Sequence, residues 1–360
     1  MKIGIVTYHR SHNYGALLQA IALRIVLSDM GHSVSFVDYW PYYHRQMYAL
    51  FSFGSLWRAG RIRGRFRYLK NCVMRYGPRK RRIEHFNTFI SEYIEPYTSS
   101  AEEKYDVVVY GSDQIWRKQK ALKTYNPVYF GKNDIQSRKH VSYAASMGLL
   151  PDDAASKNLL KGLLSHLDGI SVRESGLLDL VRSLGYDGTH DLDPTLMLPA
   201  VTWESVFRLK NKPTERYALY YKLGNTFDIE TVRRYADAMG LKLKIIQGSA
   251  DRDDTKDVLT TADPKTFLEL LHGAEFVFTS SFHGLAFSII FHKPFLASYG
   301  KNSGRASSLL ELLNLPGRLV PPNSKTLPVL GGIDYSAVEA KLSSLRKTST
   351  GNLEALLKLE

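Results

Sequence analysis

Cysteine is almost absent from this chain: Cys72 stands alone among 360 residues. One thiol excludes a disulfide framework and any metal site built from several cysteines. Long apolar runs are missing too. The longest candidate, Phe282 to Phe291, contains His283 and Ser288, whereas a spanning helix needs about 20 mostly apolar residues. The opening MKIGIVTY runs straight into a strand-like pattern with no basic head and apolar core of a signal segment, so a cytoplasmic protein is expected. Neither Gly-x-Gly-x-x-Gly nor a Walker sequence occurs, and dinucleotide-binding or NTP-hydrolysing readings lack their signature. No His-x-x-x-His pair marks a helical metal site, and no metal is expected.

Acidic residues are missing from one whole region. Eleven basic side chains stand between Arg58 and Arg82 without a single Asp or Glu, and they account for most of the net charge of +13. Trp57, Phe66, Tyr68 and Tyr76 are interleaved with them. Such a segment suits phosphates of nucleic acid, anionic lipid headgroups or a phosphorylated substrate. It also suits a solvated basic helix with its aromatic face packed on the protein.

What is present reads as an α/β protein of two domains, the expectation for 360 residues with 44% apolar and 23% charged side chains. Lys2–Tyr8 reads as a buried strand, Gly15 to Met30 as a helix and Ser33–Tyr39 as a second strand, a β-loop-α-β unit typical of parallel sheets. Strands at Asp106–Tyr110, His140–Ala145, Gly169–Val172 and His190–Asp193 follow. Past Pro199 the pattern restarts, with strands at Tyr217–Tyr221, Leu241–Gln247, Phe276–Thr279 and Pro294–Tyr299. The expected organisation is two Rossmann-like domains facing across a cleft, residues 1–199 (with a basic insert at 44–82) and 212–345, then a helix over 346–360. In such folds ligands sit beyond the carboxyl ends of the strands, which selects the loops that matter.

Thr279-Ser280-Ser281-Phe282-His283-Gly284 joins a strand to an apolar helix. Ser280 or Ser281 can cap that helix, Gly284 would let a ligand approach the backbone, and the free amides suit phosphate or carboxylate. At this position the helix dipole disfavours imidazolium at His283 while a bound dianion favours it, as general acid chemistry requires; a structural histidine is the competing reading. Tyr299-Gly300-Lys301-Asn302-Ser303-Gly304-Arg305 is a second anion-binding loop, in which Arg305 can form a bidentate pair, or else a surface turn. Arg173 closes a buried strand and needs an anionic partner, for which neighbouring Glu174 is one candidate. Asp191 and Asp193 would share one strand face, although Asp193 before Pro194 is also a turn former. Asp113 and the stretch His12-Asn13-Tyr14 follow strands of the same half and suit a polyhydroxylated ligand or helix capping.

Together these loops resemble the polysaccharide pyruvyl transferase family. The matching residues are Ile3 to Tyr8 with His12 to Gln19, then Gly111 to Trp116, Ser171 to Glu174, Asp193-Pro194 and Ser281 to Gly284, an order that spans about residues 1–315. The resemblance implies a GT-B-like fold without an obligatory metal or cofactor. It implies transfer of a pyruvyl unit from phosphoenolpyruvate onto two sugar hydroxyls, giving a cyclic ketal in a surface polysaccharide. On it, His283 and Arg173 match the positions tied to donor binding and catalysis, and Asp113, or else His12, is the expected base for the acceptor hydroxyl. Ser280, Ser281, Gly284, Asn302 and Arg305 would bind the donor, and His12, Asn13, Tyr14 and Asp193 the acceptor. The expected partners are phosphoenolpyruvate, a lipid-linked sugar and an anionic membrane surface met by Arg58–Arg82; nucleic acid is not expected. A nucleotide-sugar-dependent glycosyltransferase and a non-enzymatic basic nucleic-acid-binding protein are the alternatives.

Overall fold

The computed structural model describes residues 1–51, 53–58, 60, 62–100, 102–209, 215–300 and 304–359. Its first sheet comprises β1 (Lys2–Val6), β2 (Ser33–Val37), β3 (Thr98–Ser99), β4 (Tyr105–Tyr110) and β5 (Ser137–Ser142), in the order β3-β2-β1-β4-β5. All four pairings are parallel. β6 (Ser171–Val172) and β7 (Thr189–His190) form a parallel pair bridged to β5 between Val141 and Gly169. The second sheet repeats the topology with β8 (Tyr217–Lys222), β9 (Lys242–Gln247), β10 (Val258–Leu259), β11 (Phe276–Thr279) and β12 (Phe295–Ala297), ordered β10-β9-β8-β11-β12 and parallel throughout. Strands covered on both faces need unbroken apolar runs, and Val107, Val108 and Val109 are all fully buried.

The helices are α1 (Tyr14–Asp29), α2 (Tyr42–Tyr48), α3 (Phe53–Arg58), α4 (Ile62–Met74), α5 (Tyr76–Tyr93), α6 (Ala154–Leu164) and α7 (Ser175–Ser183). After them come α8 (Pro194–Met197), α9 (Ala200–Phe207), α10 (Ile229–Ala238), α11 (Pro264–Gly273), α12 (Phe282–Ile290), α13 (Gly304–Leu312) and α14 (Tyr335–Leu357). Their starts are chemically marked. Asn13 accepts from the Ala16 amide, Asp263 from Thr266 and Ser281 from Gly284, each satisfying an amide the helix leaves free. Two Rossmann-like halves thus face each other with a GT-B-like plan.

The halves share one core. α1 packs against α8, α11 and α12, and the Tyr14 ring stacks on Phe267 at 4.9 Å while its hydroxyl donates to the Ala262 carbonyl. α5 strengthens this seam, because buried Arg82 donates to the Tyr14 hydroxyl at 3.1 Å and to the Thr260 carbonyl at 2.8 Å. The end of the basic stretch is therefore an interdomain clasp and not a solvated surface.

Three expectations change in detail. The expected strand at His190–Asp193 ends at His190, because Asp193 before Pro194 turns the chain into α8. Asp191 and Asp193 consequently diverge: Asp191 accepts from Ser171 and Asn352, and Asp193 turns toward the cleft. The terminal helix starts at Tyr335 and recrosses to the first half, where Arg346 donates to the Leu196 carbonyl at 2.7 Å. The expected boundary near Pro199–Lys212 runs partly through residues 210–214, outside the described residues.

Arg82→Leu should lower unfolding stability by about 2–3 kcal/mol, the scale of buried hydrogen bonds from a charged group. Arg63→Leu, on an exposed position, should stay within about 0.5 kcal/mol. Urea unfolding midpoints of the two variants test whether the basic stretch divides in this way.

Candidate active site

Strand ends from both halves converge on a cavity of about 400 Å³. The first half contributes the segments after β1 and β4 and, from α2, His44, Met47 and Tyr48. The second contributes the segments after β8 and β11, Tyr299 beyond β12, and Arg305 on the first turn of α13. This is where parallel sheets leave their loop amides and side chains free.

Asp193 lies at the back of the site with no exposed side-chain surface. One carboxylate oxygen, Oδ1, accepts from the Thr195 amide at 2.9 Å and the Thr195 hydroxyl at 2.7 Å. The other, Oδ2, pairs with Nη1 of Arg173, accepts from the Ser112 hydroxyl at 3.2 Å and lies 3.6 Å from Nε2 of His283. Burial opposes this charge, but Arg173 and His283 outweigh it and hold the Asp193 carboxyl well below the usual range. Arg173 shows the mirror effect: burial opposes its charge, yet Asp193, Glu174 and Asp113 raise its pKa. The pair therefore stays ionised.

Cationic capacity remains beyond that pair. Phe282 lies between two guanidinium groups from opposite halves, with Arg173 at 4.6 Å and Arg305 at 5.7 Å from its ring centroid. Buried Nε and Nη2 of Arg173 and Nε of Arg305 have no hydrogen-bond acceptor. Arg305 lies 3.9 Å from Glu174, too far for a hydrogen bond, and burial followed by repulsion from Arg173 lowers its pKa. Arg305 lines the cavity and Arg173 packs against Phe282 of its wall, so two desolvated cations with unused donors favour an anion there, since unmade hydrogen bonds of buried charged groups are costly.

His283 reaches this place through a fit between the halves. On the first turn of α12, its Nδ1 lies so near Gly15 of α1 that a Cβ there would come within 1.9 Å. Gly15 is thus the space that His283 occupies.

The expected site residues divide. Asp113 lines the cavity at φ +57°, and its Oδ1 accepts from the Gln114 amide at 2.7 Å. Ser280 and Ser281 line it as well, while Ser280 also accepts from the Leu223 amide at 2.9 Å and Ser281 caps α12. Asn13 is both cap and lining. Asn302 falls outside the described residues.

Four placements correct the expectations. Gly284 does not open the backbone to a ligand: a Cβ there would lie 2.2 Å from Thr279 Oγ1 and 2.9 Å from the Tyr221 ring, so helix–strand packing requires the glycine. Tyr14 belongs to the interdomain seam rather than to an acceptor site. His12 stacks on Phe86 and meets Asn87 at 3.2 Å, and burial lowers its pKa to about 4, so it packs behind the site as a neutral ring. Asp193 is enclosed by Arg173, Thr195, Ser112 and His283 and cannot reach an acceptor directly.

Other lining residues carried no site assignment from the sequence: His44, Tyr48 and Arg117. Arg117 directly follows the Gly111–Trp116 motif, a signal that was available. His44 and Tyr48 come from the insert, whose charge gave no hint that α2 folds over the cleft. Burial, then the nearby Arg117 charge, lowers the His44 pKa to about 4. Met47, Gln114 and Arg117 lead from this cavity into a larger one of about 1440 Å³, walled by α2, Tyr68 of α4 and the segments 117–125 and 147–153. Among the described residues no group of three or more His, Cys, Asp or Glu could hold a metal ion.

The sequence model of the polysaccharide pyruvyl transferase family matches residues 13–302, most of the chain. The chain belongs to this family. No curated protein sequence matches it. Among solved structures it is similar to a putative UDP-N-acetylglucosamine 2-epimerase from Listeria monocytogenes, at 11% identity and a TM-score of 0.45, covering 98% of this chain and 90% of that one. It is also similar to the glycosyltransferase SnogD from Streptomyces nogalater, at 11% identity and a TM-score of 0.44, covering 99% and 100%. These likenesses concern the fold alone.

Two predictions test the geometry of this pyruvyl transferase. The Asp193 carboxyl titrates below its unfolded value of about 4, so its stabilisation is complete above that pH and is lost as the pH falls through the folded-state value. Asp193→Asn should therefore cost about 3 kcal/mol at neutral pH by leaving Arg173 unpaired, and it should flatten the acid limb of urea midpoints measured against pH. Gly15→Ala gains helix propensity of about 1 kcal/mol but displaces the His283 ring. Turnover should fall about 10²-fold, the scale of a ~1 Å misplacement in a site, while the circular dichroism spectrum stays native.

Proposed function

We propose that the enzyme transfers pyruvate from phosphoenolpyruvate to two hydroxyls of a sugar on a lipid-linked precursor of a surface polysaccharide, in the cytoplasm at the membrane's inner face. The observation that carries the donor is the pair of desolvated guanidinium groups beside Phe282, Arg305 on the cavity wall and Arg173 against the same ring, both with unused donors. Phosphoenolpyruvate offers two anionic groups a few bonds apart. Arg305 and the start of α12 would take the phosphate and Arg173 the carboxylate, a division that suits bidentate pairing and a helix N-terminus.

In this reading the reaction proceeds by protonating the donor's methylene carbon. His283 supplies that proton, and an oxocarbenium-like centre forms at the adjacent carbon. One sugar hydroxyl attacks it and loses its proton to a base, for which Asp113 on the cavity wall is the candidate. The carbon–oxygen bond to phosphate then breaks, inorganic phosphate leaves, and the second hydroxyl attacks and loses its proton, closing the ketal. Of the two hydroxyl protons, one balances the new methyl hydrogen and the other the released phosphate. Asp193 acts through its neighbours, orienting Arg173 and lying 3.6 Å from His283 Nε2.

The test uses ligand-induced thermal shifts with phosphoenolpyruvate, a panel of nucleotide-sugars and an oligonucleotide. Stabilisation by phosphoenolpyruvate is expected; stabilisation by nucleotide-sugars without it would favour a glycosyltransferase. His283→Ala should lower turnover about 10²-fold or more and leave the phosphoenolpyruvate shift in place. Arg173→Lys and Arg305→Lys should reduce the shift, because lysine lacks the planar fork.

A further inference from the structure

Helix α4 has no buried residue. Its inward side carries the partly covered Gly64, Arg65, Tyr68 and Cys72, and Tyr68 lines the larger cavity. Its outward side carries Ile62, Phe66, Leu69 and Val73, spaced four, three and four residues apart, so that they form one stripe along the helix. They are 82%, 73%, 42% and 77% exposed. Trp57 on α3 is exposed nearby in sequence, at 68%. Apolar side chains scattered over a surface need no explanation, but a contiguous stripe on a helix does.

The charges bordering the stripe limit what can cover it. Arg63, Arg67 and Lys70 lie along one edge, and no acidic residue occurs from Tyr39 to Ile83. A second copy placed on this face would meet its own positive charge without a compensating carboxylate. A nucleic acid would satisfy the arginines and leave four apolar side chains against phosphates. An anionic bilayer satisfies both, receiving the stripe at the acyl boundary and the arginines among the headgroups.

We propose that α4 is an in-plane membrane helix that docks the enzyme on an anionic lipid surface and turns the larger cavity toward the acceptor's lipid end. The first part stands on α4 itself; the second rests on the reading of a lipid-linked acceptor given above. Tyr68 and the stripe occupy different sides of one helix, so docking holds the wall of that cavity against the bilayer. Tyr68 is therefore a cavity residue on the side of α4 away from the stripe. Arg61, part of the same basic run, lies outside the described residues.

The experiment is co-sedimentation of the full chain with phosphatidylglycerol/phosphatidylcholine vesicles, compared with phosphatidylcholine alone, at about 0.1 M salt and at about 1 M salt. Binding to the anionic vesicles at the lower salt is expected, with release at the higher. Ile62→Gln, Phe66→Gln and Val73→Gln combined should reduce partitioning about ten-fold or more through lost apolar burial. Arg63→Glu, Arg67→Glu and Lys70→Glu combined should reduce it about a hundred-fold. Both variants should keep the wild-type melting temperature and phosphoenolpyruvate shift. Activity on a short water-soluble acceptor should also stay unchanged.

Absence of wild-type binding to anionic vesicles would overturn the proposal, as would glutamine variants that bind like wild type. A lipid-free dimer that dissociates on Phe66→Gln in sedimentation velocity would also overturn it, in favour of self-association. So would an oligonucleotide that displaces the protein from vesicles. The pyruvyl-transfer reading fails separately, through a missing phosphoenolpyruvate shift, and that result would leave the vesicle measurement standing.

Discussion

A single buried carboxylate organises this site. Asp193 carries a charge with no exposed surface, and it persists only because Arg173, the Thr195 amide and hydroxyl, and the Ser112 hydroxyl surround it. Each of these groups comes from a different part of the first half: Ser112 follows β4, Arg173 follows β6 and Thr195 lies in α8. His283 comes from the other half. The cost of leaving any of them unmatched is several kcal/mol, so the carboxylate ties the strand ends and the facing helix into one arrangement. Its oxygens are saturated, which is why it cannot also serve an acceptor.

Much of this was legible locally. Apolar runs marked the strands, Asn13, Asp263 and Ser281 marked helix starts, and the carboxyl-end rule selected the loops that meet at the cavity. What stayed hidden depended on contacts distant in sequence. Gly284 looks in sequence like an opening for a ligand, but Thr279 and Tyr221 fill the space beside it. Gly15 looks like the permissive start of a helix, but His283 takes its missing side chain's place 268 positions later in the chain. Tyr14 and His12, polar residues after a strand, turn inward because the second half and α5 offer them ring partners.

The insert shows a different limit. Its charge was plain in the sequence, yet one count of basic residues covered three structural roles. Arg82 clasps the two halves, α2 brings His44 and Tyr48 over the cavity, and α4 faces outward with none of its residues buried. Net charge has no direction, so composition alone could not separate them. Helical spacing could have, since Ile62, Phe66, Leu69 and Val73 repeat at intervals of four and three, but the arginines between them drew the eye to electrostatics.

The placement of Arg173 and Arg305, each with unused donors, makes the halves depend on what lies between them. Arg173 ends a strand pair of the first half and Arg305 begins a helix of the second, and both flank Phe282. Burial, and then repulsion from Arg173, lowers the pKa of Arg305. An anion bridging them removes that repulsion and supplies the missing acceptors at once. Its binding energy therefore favours the arrangement in which the halves meet, and it acts on the same helix start that carries His283. In the proposed reaction, donor recognition and the placement of His283 are thus linked through a single turn, Ser281 to Gly284. The larger cavity lies to one side of that turn, so a long acceptor can extend away from the anion site without crossing the seam that holds the halves together.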